Sequence, residues 1–130
     1  MTEAIKKRII HTQEAPGAIG PYSQAVETGS LLFTSGQLGL EAETGKLAEG
    51  IENQTHAAMR NIGAILRAAG LDYADIVKAT IFVKELADFQ MVNQAYAGYF
   101  SGDHPARSCV QAAALPLGAL VEIECVAVRS

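Results

Sequence analysis

The chain has 130 residues, of which 49% are apolar and 18% charged, so it fits one compact domain and not a disordered segment. Ten basic residues against fourteen acidic ones give a net charge of −4, which disfavours a broad nucleic-acid or anionic-membrane surface but leaves room for a local basic pocket. Met1–Thr12 has no apolar run of the kind a signal peptide needs, and the most apolar stretch, Ala112–Val121, is short and broken by Pro116 and Gly118. A cytoplasmic protein with Cys109 and Cys125 reduced is the expectation.

In chain order, Lys7–His11 is a candidate first strand. Ala15–Tyr22 holds two prolines and two glycines and is expected to be irregular. Ser23–Glu27 and Ser30–Gln37 are strand candidates about a turn at Thr28-Gly29, and Glu41–Gly50 is a surface loop. The period turns helical from Ile51 to Ala69, with Ile51, Thr55, Ala58, Ile62, Ile65 and Ala69 on one face and Gly70 as the stop. Ile76–Lys84 has the composition of a buried strand. Asp88 is placed to cap a second helix to about Phe100, with Phe89, Val92, Tyr96 and Tyr99 on its apolar side.

Arg107–Ala113 and Leu120–Val128 read as the last strands. In the final one Val121, Ile123, Cys125 and Ala127 share a face opposite Glu122, Glu124 and Val126. With no internal repeat or linker, one domain over residues 1–130 is expected, of α+β class, with a mixed sheet and both helices packed on one face. Two helices leave the other face bare. Val126, Val128 and Phe33 or Phe82 are rather apolar for a wet surface, so association of several copies is expected.

The candidates for chemistry are few. Arg107 begins a strand after Pro105-Ala106, where a guanidinium can grip a carboxylate through two parallel hydrogen bonds; a solvated strand-end arginine is the plainer alternative. Alternation sets Arg107, Cys109 and Gln111 on one side. Glu122, inside an apolar strand, is the leading acid–base candidate, with Glu124 on the same face; both also fit the wet side of a surface strand. Tyr22 ends a stiff segment suited to presenting a hydroxyl, and Ser35-Gly36 allows close backbone approach to an oxyanion. Asn93 lies beside the apolar stripe of the second helix, where an amide needs partners. Cys109 has no nearby histidine to act as its base and also suits a small core position. His11, His56 and His104 lack metal-ligand spacing, and no phosphate-binding glycine loop or nucleophile elbow is present. An anion pocket with Glu and Tyr at hand, and no metal or organic cofactor, is the chemistry these residues allow.

Ala18–Ala25, Thr34–Gln37, Thr80–Lys84, Asp88–Asn93, Pro105–Val110, Leu115-Pro116 and Val121–Glu124 together resemble the Rid family of reactive intermediate imine/enamine deaminases, also known by an older endoribonuclease name. The resemblance implies a chorismate mutase-like homotrimer with sites in clefts between subunits. It also implies hydrolysis of 2-iminopropanoate or 2-iminobutanoate to the 2-oxo acid and ammonia. Arg107 matches the arginine that binds the carboxylate and Glu122 the acid that positions or activates water. Tyr22, Ser35, Gly36, Asn93 and Cys109 match positions lining the cleft. An endoribonuclease, for which the acidic charge and lack of a histidine pair are unsuited, and a non-enzymatic carboxylate-binding or holdase protein are the rival readings. If the last two strands formed a simple hairpin, Arg107 would fall about 13 Å short of Glu122. Either those strands are not neighbours or the site draws on two chains.

Overall fold

Period-two alternation puts one side chain of each neighbouring pair on either face of a strand, and here that alternation decides where every candidate residue points. The computed structural model describes residues 6–130. Its strands are β1 (Lys7–Ile10), β2 (Ala25–Thr28), β3 (Leu31–Thr34), β4 (Gln37–Leu38), β5 (Ile76–Val83), β6 (Ala106–Gln111) and β7 (Val121–Val128), with helices α1 (Gly50–Ala68) and α2 (Phe89–Ala97). The sheet runs β1-β2-β3-β7-β5-β6, and β4 lies beside β7. Only β5 and β6 pair in parallel; the other pairs are antiparallel.

Both helices cover one face. Leu32, Ala79, Ile81, Val83, Val121, Ile123, Cys125 and Ala127 point into that layer, and Ala58, Ile62, Ile65 and Leu66 of α1 and Val92 and Tyr96 of α2 meet them in a single core. Full burial of each large aliphatic there contributes about 1.5–3 kcal/mol. The expected apolar face of α1 is the buried one, apart from a half-buried Ile51. Gly70 ends the helix in the left-handed region (φ 77°). Leu71 N–H donates to Leu66 O and Gly70 N–H to Arg67 O, the bond pair of a Schellman stop.

The opposite face has no cover among the described residues. Ile9 (54% exposed), Phe33 (43%) and Val110 (45%) lie on it, with Val26, Phe82, Val126 and Val128 half-buried beside them. The four residues that the sequence marked as too apolar for a wet face are all here.

Several boundaries differ from expectation. The first hairpin turns at Gly29-Ser30, with β2 shifted to Ala25–Thr28 and Gly29 at φ 58°. Ser30–Gln37 is not one strand. Phe33 pairs with Val126 and Gln37 with Ile123, so three residues on one side, Thr34, Ser35 and Gly36, face two on the other. This extra residue acts as a β-bulge and reverses the alternation: Phe33 points to the bare face, Gln37 to the covered one. Thr34 Oγ1 repairs the ladder by accepting from Cys125 N–H at 3.0 Å. Asp88 precedes α2 but makes no side-chain cap, because it closes a 3-10 turn at Leu86–Asp88. The helix stops at Ala97, and Tyr99 and Phe100 follow in tighter i→i−3 turns. The last two strands form no hairpin, since β5 lies between them.

The β4 region is tied to α1 by Asn61, whose buried amide donates to Leu38 O (3.2 Å) and Leu40 O (2.9 Å). Asn61→Ala would leave two sheltered carbonyls unpaired. A loss of about 2 kcal/mol in urea denaturation is expected, and an unchanged midpoint would contradict this account.

Candidate functional site

The chain builds two half-sites. The first lies on the bare face of the sheet around Glu122. β7 is a central strand, so Glu122 is not on an edge: it pairs with Leu38 on one side and Phe82 on the other. Its carboxyl lies directly against Gly36, where a β-carbon would come within 2.7 Å of both Glu122 Cδ and Oε2. Only glycine allows that approach. A cavity of about 370 Å³ opens here, lined by Ile19, Tyr22, Ser35, Gly36, Leu38, Pro116 and Glu122. Burial pushes the Glu122 carboxyl above the ordinary glutamate range, and the negative charge of Glu124 adds to the effect. Glu124 itself is exposed and lines no part of this cavity.

The stiff segment ahead of β2 supplies Tyr22. Its Oη accepts from Ile19 N–H at 3.2 Å, which leaves the phenol proton free for a ligand. Gln24 anchors this segment from below: its Oε1 accepts from Thr12 N–H (2.8 Å), and its Nε2 donates to Thr12 O (3.0 Å) and Pro16 O (2.9 Å). Sequence reasoning passed over Gln24, since an isolated glutamine carries no signal of the loop it will hold. Ser35 is fixed differently from Tyr22. Its hydroxyl donates to Ser23 O at 2.5 Å, so only its lone pairs and the adjoining backbone face the cavity.

The second half-site lies on the covered side, at the β6 edge. Arg107 aligns with Ala79 of β5, which puts its side chain toward α2. The guanidinium carbon lies 5.4 Å from the ring centre of Phe89 and 5.3 Å from that of Tyr96. Among the described residues Arg107 makes no ion pair and no hydrogen bond, so a half-buried cation is held by two rings with its N–H fork open. Asn93, Tyr96, Ala97, His104 and Pro105 surround it in a cavity of about 290 Å³. Asn93 Oδ1 is buried with no hydrogen-bond partner among the described residues, so the partner expected for this amide is not supplied there. Cys109 points the same way as Arg107 and packs against the core; burial raises its thiol pKa, although Arg107 opposes the shift. It lines neither of the two cavities. Phe89 and Tyr96 were readable only as packing positions, yet their i, i+7 spacing on one helix face was the available sign that they act together.

Within one chain the halves do not meet. Arg107 is level with Ala79 and Glu122 with Phe82, three residues apart on the strand between them. That separates their backbones by about 14 Å, and the two side chains point to opposite faces. The largest of the cavities, about 610 Å³ between α1 and the loop at Glu41–Glu43, is lined by none of the expected site residues. No helix among the described residues is long and apolar enough to cross a membrane.

Comparisons with known proteins agree on kinship. The endoribonuclease L-PSP family model matches residues 12–129. The chloroplastic reactive intermediate deaminase A of Arabidopsis thaliana is 52% identical over 125 residues, 95% of this chain and 67% of that protein. The human 2-iminobutanoate/2-iminopropanoate deaminase is 44% identical over 124 residues, 95% of this chain and 90% of that one. The crystal structure of Escherichia coli TdcF with bound serine superposes with a TM-score of 0.92 at 46% identity, covering 95% of this chain and 99% of the other.

Two outcomes are expected at Glu122. Folding raises its pKa, so the native state binds the proton more tightly than the unfolded chain does. That contribution is whole below the ordinary glutamate pKa and is lost as pH rises through the folded value. Glu122→Gln, which cannot ionise, should therefore melt higher than the parent near pH 7 and at the same temperature near about pH 3; the reverse order would exclude a desolvated carboxyl. Gly36→Ala should displace that carboxyl at little cost in Tm, because the obstructed group is the end of a flexible side chain. Carbon-13 NMR of the Glu122 carboxyl would record a changed titration.

Proposed function

The chain belongs to the endoribonuclease L-PSP family and is a relative of reactive intermediate deaminases, and on that premise we propose that it hydrolyses short 2-imino acids to 2-oxo acids and ammonia. The observation that carries the reading is Arg107: a half-buried guanidinium, sandwiched by Phe89 and Tyr96, with its donors uncommitted. A planar fork in that condition suits a carboxylate, bound through two parallel charge-assisted hydrogen bonds. The relative from E. coli holds serine in its crystal, a small molecule with an α-carboxylate.

The active unit we propose is a homotrimer. Two half-sites on opposite faces, one at an edge strand and one on a bare apolar face, are complementary in a head-to-tail contact. Such a contact closes into a ring when each copy's β6 edge meets the next copy's Glu122 face. It would also cover Ile9, Phe33 and Val110. Each site then takes Arg107, Asn93 and Cys109 from one subunit and Tyr22, Ser35, Gly36 and Glu122 from its neighbour.

The chemistry asks little of the protein. A protonated imine carries an electrophilic carbon already, so no metal or organic cofactor is invoked. Arg107 orients the substrate by its carboxylate while Glu122 takes a proton from water as the oxygen adds to that carbon. Glu122 returns the proton to the amino group of the tetrahedral intermediate. The C–N bond breaks, the C–O bond becomes a carbonyl, and the hydroxyl proton leaves with ammonia as ammonium. A raised Glu122 pKa favours both halves of this exchange, since the group must gain and lose a proton in turn. Holding water and imine together supplies the rest. Tyr22 O–H donates a hydrogen bond to the oxygen of the tetrahedral intermediate without giving up its proton. A cytoplasmic setting fits these unstable substrates, which must be consumed where they form.

Semicarbazide trapping of imine released by an amino-acid oxidase provides the assay. Arg107→Ala should lower kcat/KM about a hundredfold or more. Glu122→Ala should abolish hydrolysis while sparing carboxylate binding; full hydrolysis without Glu122 would remove its role in activating water, and a wild type that binds carboxylates without hydrolysing the imine would leave a binding module as the better account. Co-refolding the two inactive variants tests the shared site. Every mixed trimer contains one intact Arg107–Glu122 interface, so about a quarter of wild-type activity should return. No recovery would place both residues in one subunit's site.

A further inference from the structure

We propose that Tyr96, seconded by Phe89, is a positioning residue that orients the Arg107 guanidinium for carboxylate binding without neutralising it; the inference rests on the hydrolase reading above and deepens it. An arginine in a binding site must satisfy two demands that conflict. Its plane must be fixed, or the two-pronged contact costs side-chain entropy at each binding event. Its charge and N–H donors must also stay available. A carboxylate partner meets the first demand and defeats the second. Aromatic faces meet both, because the attraction is to the ring quadrupole and leaves the edge of the guanidinium plane open.

The geometry fits this solution. The rings of Phe89 and Tyr96 lie two turns apart on α2, each within 5.4 Å of the guanidinium carbon. Tyr96 is the fixed member. It is 4% exposed, and its ring packs on Phe100 with centroids 4.9 Å apart, so it cannot swing away. Phe89 is 38% exposed and closes the sandwich from outside. Across the sheet, the row at this level runs Arg107, Ala79, Cys125. Ala79 is the small residue of that row, between Arg107 and Cys125.

The hydroxyl of Tyr96 supports assigning the task to the ring. Its Oη is buried and has no hydrogen-bond partner, so it neither accepts from Arg107 nor reaches the cavity. Burial also pushes the phenol up to about 12 despite the opposing charge of Arg107. It stays neutral at any pH the reaction would see and never competes with a substrate anion.

The test reads binding separately from turnover and from folding. Affinity for 2-oxobutanoate, the stable oxo acid, is measured by NMR titration on wild type, Arg107→Ala, Tyr96→Leu, Tyr96→Phe and Phe89→Leu, each confirmed folded by near-UV circular dichroism. Tyr96→Leu should weaken binding about tenfold and Phe89→Leu about threefold, as expected for a partly desolvated and an exposed cation–ring contact. Tyr96→Phe, which keeps the ring, should restore affinity to within about twofold and melt no lower than wild type, since it removes an unpaired buried hydroxyl. Should Tyr96→Leu fail to fold, the exposed Phe89→Leu decides the matter alone. Wild-type affinity in both leucine variants, alongside loss of binding in Arg107→Ala, would overturn the positioning role and leave the hydrolase reading intact. A Tyr96→Phe variant as weak as Tyr96→Leu would overturn it too, by shifting the task to the hydroxyl. Equal binding by wild type and Arg107→Ala would overturn both.

Discussion

Two helices cannot cover both faces of a sheet six strands wide, and most of what this molecule presents to its surroundings follows from that shortage. The covered face is a conventional core of aliphatic side chains from β5, β7 and α1. The bare face keeps Ile9, Phe33 and Val110 in contact with solvent although nothing in their chemistry suits them to it. Because the helices sit on one side only, residues that alternate along a strand live in different worlds. Arg107 reaches into the helical layer and Glu122 into the open. In the trimer proposed above, hiding the open face would also complete the chemistry, so that a single surface requirement would account for both.

The two half-sites use opposite electrostatic devices. On the covered side a guanidinium lies against two neutral rings, with no counterion among the described residues. On the bare side a carboxyl is pressed against backbone at Gly36 and held reluctant to ionise. Neither arrangement is at its most favourable alone. In the proposed trimer a free guanidinium and a partly desolvated carboxyl would each gain from a polar substrate and a water between them, which is the condition for preorganised catalysis.

Much of this was legible in the sequence where the signal is local. The α1 stripe, its Gly70 stop and the alternation of β7 are local patterns, and the fold keeps them. Arg107, Cys109 and Gln111 share a face as alternation required. What escaped was strand order. No residue in Arg107–Ala113 or Leu120–Val128 announces that β5 will insert between them, because parallel pairing across a helical crossover is a property of the whole chain. The last two strands are not neighbours, yet Arg107 and Glu122 still stand about 14 Å apart and on opposite faces of the sheet. The cap expected from Asp88 failed for a local reason, since a 3-10 turn had already used the backbone there. Tyr96 and Gln24 were hidden because their roles depend on partners 11 and 8 to 12 residues away in sequence and on the other side of a turn or loop.

The extra residue between β3 and β4 has a further meaning. Phe33 and Gln37 are an even number of positions apart, yet they point to opposite faces, because Thr34, Ser35 and Gly36 span the room of two. The strand changes phase at the place where Gly36 touches Glu122. When relatives of this chain are aligned, a one-residue gap falling within Thr34–Gly36 should accordingly be read as more than a shortened bend. It restores the regular pleat, leaves Gln37 and Leu38 on their present faces opposite Ile123 and Glu122, and withdraws the backbone from the carboxyl. Such a protein would keep the outline of this fold without the close approach at Glu122, and its chemistry would have to be sought elsewhere on the surface.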